Sequence, residues 1–140
     1  MISLKGHRIY LDASTIIFAV EALAPNLRMG LLIPLDAGDL QAVTSHLSIV
    51  ETVVGPRKRG DLFGERELRD FFRLTSNLQV MPVSEAVLEK VIELRATSSL
   101  KTPDAIHIAT GIVEGCDLFV TADLEWHRAG VQVVDPADVA

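Results

Sequence analysis

Four acidic residues that are far apart along the chain each stand beside an element of predicted secondary structure. They are Asp12, Glu51, Asp104 and Asp123. Asp12 and Asp123 come directly or shortly after apolar runs that predict buried strands. Asp104 and Glu51 lie in the first turns of two predicted helices. Because ligands bind at the carboxyl ends of parallel strands, the spacing predicts that these carboxylates converge at one edge of a sheet.

Such a group of carboxylates could bind a hard divalent cation. Carboxylates held close together repel one another unless a cation neutralises them. Their oxygen atoms favour Mg²⁺, Mn²⁺ or Ca²⁺ over zinc. One or two such ions can activate water and stabilise the charge that develops when a phosphodiester is hydrolysed. A hydroxyl from Ser14 or Thr121 could position a metal-bound water or a carboxylate.

Two of the four acids also have simpler explanations at helix starts. Ser48 to Glu51 fits the capping-box pattern, in which a glutamate bonds back to the capping residue. Thr102 could cap the helix that contains Asp104, which would then only complement the helix dipole. Taken singly, each of these structural explanations is the better one.

The other two acids stand at predicted strand ends. Asp123 could be a turn residue or the cap of a short helix that begins at Leu124. Asp12 has no obvious cap to make, because Ser14 is the predicted N-cap of the helix that follows, although an Asx-turn is open to it. Only the joint occurrence of four acids at strand ends and helix starts favours a metal site.

Strands alternate with helices along the whole chain. The predicted strands are Arg8–Leu11, Leu40–Ser45, Leu78–Met81, Leu118–Thr121 and Val131–Val134. Helices are predicted after Ser14, over residues 27–35, around Glu51, over 62–74, from Ser84 to about Thr97, and from Thr102 to Gly115, with a loop at residues 55–60. The alternation predicts one α/β domain over residues 1–140, a three-layer α/β/α sandwich with a mainly parallel central sheet.

Composition is that of a packed domain in a reducing compartment. Hydrophobic residues make up 49% of the 140 residues and aromatic residues only 5%, so aliphatic side chains must build the core. Cys116 is the only cysteine, which excludes an internal disulfide and favours the cytoplasm. Residues 1–5 lack the features of a secretory signal, and the apolar run 16–24 is too short to span a membrane.

Charge gives a mixed indication about nucleic acids. The net charge of −6 disfavours a polyanionic partner, although metal ions at an acidic site would offset part of it. A basic run at residues 57–59, followed by Arg66, Arg69 and Arg73, could contact phosphates. It could equally be a solvated helix face. No glycine-rich phosphate loop is present, which disfavours a nucleoside triphosphatase.

Four segments together resemble PIN-domain proteins, and within that family the VapC toxins of bacterial toxin–antitoxin pairs. The segments are Ile9–Ile17, Thr44–Glu51, Leu100–Thr110 and Leu118–Asp123. They are similar, in order, to the family's strand ending in Asp, its helix with the second acid, its "D-A-x-I-A" helix and its "l-V-T-x-D" strand end. The similarity extends over nearly the whole chain.

The resemblance implies an endoribonuclease that needs Mg²⁺ or Mn²⁺, acts as a dimer and is restrained by a small antitoxin. Carried over by position, the acidic site would consist of Asp12, Glu51, Asp104 and Asp123. Ser14 and Thr121 would be polar partners of that site. His107, one turn after Asp104, could face the site, but a histidine at such a position is more often packed or solvent-facing.

Departures from the family pattern leave an alternative open. Ala13 and Ala122 replace polar residues that are frequent in the family, and Glu125 and Trp126 stand where Asp and Phe are common. The alternative is a catalytically idle PIN fold that acts as a protein- or RNA-binding module. A phosphoacceptor receiver-like domain would also place acids at strand ends, but the paired early acids and late lysine of receivers are missing.

Overall fold

The computed structural model, which describes residues 1–140, contains a wholly parallel sheet of five strands. The strands are β1 (Arg8–Leu11), β2 (Gln41–Ser45), β3 (Leu78–Met81), β4 (Leu118–Val120) and β5 (Val133–Val134). All five predicted strands are present. β1 and β3 have the predicted bounds, and the other three differ by one or two residues at one end.

Helices connect the strands. They are α1 (Ala13–Val20), α2 (Ile33–Ala37), α3 (His46–Arg59), α4 (Leu62–Leu74), α5 (Glu85–Thr97) and α6 (Thr102–Val113). A π-helical segment, Arg28–Leu32, leads into α2, and two short 3₁₀ helices, Leu124–Ala129 and Pro136–Asp138, flank β5. None of the helices combines the length and the apolar character that crossing a bilayer requires.

Side chains of the sheet alternate between two hydrophobic cores. On β1, Ile9 and Leu11 pack into the core formed with α1 to α4, whereas Tyr10 packs into the core formed with α5 and α6. A parallel sheet buried on both faces is apolar along its whole strands, which is why these strands read as continuous apolar runs. The two cores confirm the predicted three-layer α/β/α sandwich.

The strand order places a topological switch beside β1. The sheet runs β3-β2-β1-β4-β5, so the chain builds outward from β1 to β3 and then returns to the other side of β1. Ligands of open α/β sheets bind at such a switch, outside the carboxyl ends of the strands. Receiver-like domains have the order 2-1-3-4-5, so the observed order excludes that alternative.

Two predicted helix caps are wrong. Asp12 and not Ser14 caps α1, because the Asp12 carboxylate accepts a hydrogen bond from the Thr15 backbone N–H at 2.8 Å. At α6 the cap position is held by Lys101, which makes no side-chain capping bond, and Thr102 is the first residue of the helix. Both helices therefore begin one or two residues earlier than the predicted caps imply.

Helix α3 also differs from its prediction at both ends. The Ser45 hydroxyl caps it by accepting a hydrogen bond from the Leu47 backbone N–H, so Ser48 is not the cap and Glu51 belongs to no capping box. The predicted loop at residues 55–60 is wrong, because α3 continues through the buried Pro56 and ends at Gly60, whose φ is +68°. Pro56 is buried, and burial of its ring offsets the hydrogen bond that a proline removes from a helix.

Contact between α6 and β4 depends on a residue without a side chain. A Cβ added to Gly111 would overlap the ring of Phe119, which is buried. We expect Gly111→Ala to lower the free energy of unfolding by about 1–3 kcal/mol through overpacking. Gly55→Ala is the matched control: it is also inside a helix, but its Cβ would meet only the mobile end of Arg59, so it should stabilise by about 0.5–1 kcal/mol.

Urea unfolding of the two variants measures both effects. Equal stabilities of Gly111→Ala and Gly55→Ala would contradict the close packing of α6 on β4.

Candidate active site

Asp12 occupies a fixed position between the ends of β1 and β4. It is buried, with 7% of its surface exposed. Its Oδ1 accepts the Thr15 N–H, and its Oδ2 accepts the hydroxyls of Ser14 at 2.9 Å and Thr121 at 2.5 Å. The bond from Thr121 joins the two strands that flank the switch point. The Asp12 carboxylate therefore both caps α1 and places a negative charge at the ends of these strands.

All four predicted acids line one small cleft at the carboxyl edge of the sheet. The cleft has a volume of about 170 Å³ and is lined by Asp12, Ala13, Ser14, Glu51, Asp104, His107, Asp123 and Trp126. Glu51 comes from the second turn of α3 and Asp104 from the first turn of α6. Asp123 follows β4 and caps the 3₁₀ helix that begins at Leu124. Thr121 is fully buried behind Asp12 and does not line the cleft.

Negative charges in the cleft act on one another. Burial raises the pKa of Asp104, and the charges of Asp123 and Glu51 raise it further. The raised pKa means that ionising Asp104 is less favourable in this cleft than in water, as expected where carboxylates share a site.

His107 links Glu51 to the interior of the protein. The ring is 3% exposed, and its Nε2 lies 2.5 Å from Glu51 Oε1. Its Nδ1 lies 2.5 Å from the hydroxyl of Tyr10. Trp126 stacks on the ring at a centroid distance of 5.9 Å.

Sequence reasoning gave His107 little weight and treated Trp126 only as a departure from the family pattern. The one available signal was that His107 lies three residues after Asp104, on the same face of α6.

The donor set suits a divalent cation. Carboxylate oxygens are the ligands that Mg²⁺ and Mn²⁺ prefer. Glu51 Oε2 and Asp123 Oδ2 accept no hydrogen bond from the protein, whereas Glu51 Oε1 and Asp123 Oδ1 each accept one. The acids nevertheless do not form a closed ligand sphere, since no three His, Cys, Asp or Glu side chains are close enough together to hold an ion as they stand.

A second cleft adjoins the first. It has a volume of about 230 Å³, shares Asp104, Asp123 and Trp126 with the acidic cleft, and is also lined by Lys101 and Arg128. The indole Nε1 of Trp126 is buried and has no hydrogen-bond partner. Cationic and N–H donor groups therefore lie directly beside the carboxylates, an arrangement that the sequence did not predict.

The predicted basic run is largely engaged in ion pairs. Arg57 makes a two-pronged contact with Glu65 at 2.6 and 2.7 Å, and Arg69 contacts the same carboxylate at 2.9 Å. These contacts lower the pKa of Glu65 to about 2. Arg73 pairs with Asp70. The solvated helix face is therefore the better description of these three arginines.

Comparison with family models identifies one family. The family model of the PIN domain matches residues 9–132 of the chain. Comparison with curated proteins gives no match.

Three solved structures illustrate the similarity in fold. A toxin–antitoxin complex from Klebsiella pneumoniae is 21% identical with a TM-score of 0.70, covering 91% of this chain and 97% of that one. VapBC2 from Rickettsia felis, bound to a promoter DNA fragment, is 16% identical with a TM-score of 0.75 and the same coverages. VapC20 from Mycobacterium tuberculosis, a Sarcin-Ricin loop cleaving toxin, is 19% identical with a TM-score of 0.63, covering 88% and 95%. At these identities the likeness shows the fold alone.

Asp104 should reduce stability at neutral pH when no divalent cation is present. Because its pKa is raised, the folded protein binds the Asp104 proton more tightly than the unfolded chain does. The ionised carboxylate therefore costs stability above its folded pKa and costs none below the ordinary aspartate pKa. We expect Asp104→Asn to increase the free energy of unfolding at pH 7 by about 1 kcal/mol or less, since the cleft is open to solvent screening.

Chemical denaturation with a chelator present, at pH 7 and near pH 3, measures this effect. The matched control is Asp39→Asn, which changes an exposed acid whose side chain makes no hydrogen bond or ion pair. The gain in the free energy of unfolding of Asp104→Asn should disappear near pH 3. A loss of stability of this variant at pH 7 would contradict the repulsion between the carboxylates.

Proposed function

The chain belongs to the PIN-domain family, and from this premise we propose that it is a divalent-metal-dependent endoribonuclease, the toxin of a toxin–antitoxin pair. One observation carries the proposal. Four carboxylates from separate segments of the chain line one cleft at the topological switch of the sheet. Acids gathered at such a point are suited to a cation and, through it, to a phosphate ester.

Asp12, Glu51, Asp104 and Asp123 would hold the ion, with Mg²⁺ or Mn²⁺ as the cation. When bound, the cation supplies Lewis acidity and an activated water. Asp12 is held in place by hydrogen bonds from Ser14, Thr15 and Thr121. Such outer partners fix the orientation of a ligating carboxylate. Ser14 and Thr121 are in this way assigned a supporting role.

Three features support RNA as substrate and a protein antitoxin as partner. Lys101 and Arg128 line the adjoining cleft and could contact phosphates next to the scissile bond. The relative from Mycobacterium tuberculosis is named as a toxin that cleaves the Sarcin-Ricin loop. The relatives from Klebsiella and Rickettsia are toxin–antitoxin complexes. A homodimer in the cytoplasm, restrained by a small antitoxin, completes the proposal.

Cleavage of RNA tests the site directly. Purified protein should cut stem–loop RNA labelled at its 5′ end when Mg²⁺ or Mn²⁺ is present and not when a chelator is added. Asp12→Asn and Asp104→Asn should each lower the rate about a hundredfold or more, because stabilisation by a metal is worth several kcal/mol and ~1.4 kcal/mol is a factor of ten. Asp39→Asn is the matched control and should cut at the parent rate. If Asp12→Asn cuts at the parent rate as well, the assignment of the site is wrong.

Metal binding separates the nuclease from an idle PIN fold that serves only as a binding module. Calorimetry with Mn²⁺ should show binding that Asp12→Asn abolishes. An idle fold would show no Asp12-dependent binding, whether or not RNA binds.

Binding of RNA tests the role of the adjoining cleft. In an Asp12→Asn background, Lys101→Gln should weaken RNA binding to a similar extent for different sequences. The slope of log K against log salt concentration should fall by about 0.7, because one phosphate contact to a single strand is lost. The control is Lys90→Gln on α5, whose ammonium group pairs with Glu93 and lines neither cleft. Equal salt slopes in the two variants would remove Lys101 from the RNA-binding surface.

A further inference from the structure

We propose that His107 is a positioning residue, which orients Glu51 for the cation through a buried Tyr10–His107–Glu51 hydrogen-bond chain. The inference deepens the proposed function and rests on it, since it concerns how one of the four acids is held. Three elements contribute residues to this hydrogen-bond chain: β1 provides Tyr10, α6 provides His107 and α3 provides Glu51.

Burial, ring packing and two hydrogen bonds hold the His107 ring in one orientation. The ring is almost fully buried, stacks on Trp126 with an interplanar angle of 22°, and meets Tyr10 edge-on at a centroid distance of 5.8 Å. Both ring nitrogens have a partner at 2.5 Å. A buried histidine with both nitrogens engaged cannot rotate without leaving two polar groups unpaired, which is costly.

The chemistry of Glu51 and Tyr10 determines which ring nitrogen of His107 carries the hydrogen. The carboxylate of Glu51 only accepts hydrogen bonds, so His107 Nε2 must donate. The phenol of Tyr10 carries a hydrogen, which it can donate to His107 Nδ1. A neutral imidazole with hydrogen on Nε2 satisfies every member of the chain. Tyr10 thereby fixes the tautomer that Glu51 needs.

The consequence for Glu51 is that its two oxygens differ. Oε1 is tied to His107, whereas Oε2 accepts no hydrogen bond from the protein. Of the three hydrogen-bonded residues, Glu51 is the most exposed, with about a third of its side chain accessible. A long, partly exposed glutamate would otherwise sample several rotamers, so the bond from His107 limits the entropy lost when a cation binds. Outer partners of this kind typically change metal affinity by about 10–100-fold.

Two amide variants separate the bond to Glu51 from mere filling of space. Glutamine places its amide nitrogen about where Nε2 of histidine lies, and asparagine about where Nδ1 lies. His107→Gln can therefore still donate to Glu51, whereas His107→Asn reaches only toward Tyr10. Both substitutions leave a polar group at the same buried position, so each controls for the stability cost of the other.

The test is a Mn²⁺ titration of the full chain, without RNA, followed by calorimetry and by quenching of Trp126, the only tryptophan. Thermal unfolding confirms that each variant is folded at the titration temperature. We expect His107→Asn to bind Mn²⁺ about 10–100-fold more weakly than the parent and His107→Gln to bind within about threefold of it. In a Glu51→Gln background the difference between the two variants should vanish, as a double-mutant cycle requires for a role exerted through Glu51.

The outcomes distinguish the inference from the proposed function. Equal Mn²⁺ affinities of His107→Asn and His107→Gln, at whatever value, overturn the positioning role while leaving the metal site intact. A difference that persists without Glu51 also overturns it. Absence of Asp12-dependent Mn²⁺ binding in the parent overturns the metal site itself and the positioning role with it.

Discussion

Mutual repulsion between carboxylates is the constraint on which the rest of this structure depends. Asp12, Glu51, Asp104 and Asp123 share a cleft of about 170 Å³, and burial and the neighbouring charges raise the pKa of Asp104. A protein that gathers negative charge in this way loses stability unless a cation or hydrogen-bond donors offset it. Three donors serve Asp12, and His107 serves Glu51. The donors hold the acids in place, and the remaining negative charge is what a divalent cation would neutralise.

The fold concentrates these acids because of its topology. β1 and β4 are neighbours in the sheet but lie on opposite sides of the switch point, so the segments that follow them diverge and leave a cleft. The Thr121–Asp12 hydrogen bond joins the two strand ends. α6 brings Asp104 to the same edge, and its close approach to β4 depends on Gly111. The cleft is therefore a property of the sheet order as much as of the acids themselves.

Strands and the α/β/α class were predictable because both faces of the sheet are buried. The continuous apolar runs of β1 and β4 arise from that burial, and the helix of residues 62–74 was marked by its apolar spacing. Errors fell where tertiary contacts override local preference. Pro56 is accommodated inside α3, where it is buried. Asp12 caps α1 because the end of β1 places its carboxylate at that helix start.

The sequence by itself determined the order of the elements, the resemblance to one family and the four acids that converge. Those features are encoded locally, in apolar periodicity and in the position of an acid relative to a strand or helix. Only the tertiary structure decided what surrounds them. His107 is 97 residues from Tyr10 and 56 from Glu51 in the sequence, and Lys101 and Arg128 line the same adjoining cleft. No local pattern reports such proximity, because it arises only when β1, α3, α6 and the 3₁₀ helix Leu124–Ala129 come together at the end of the sheet.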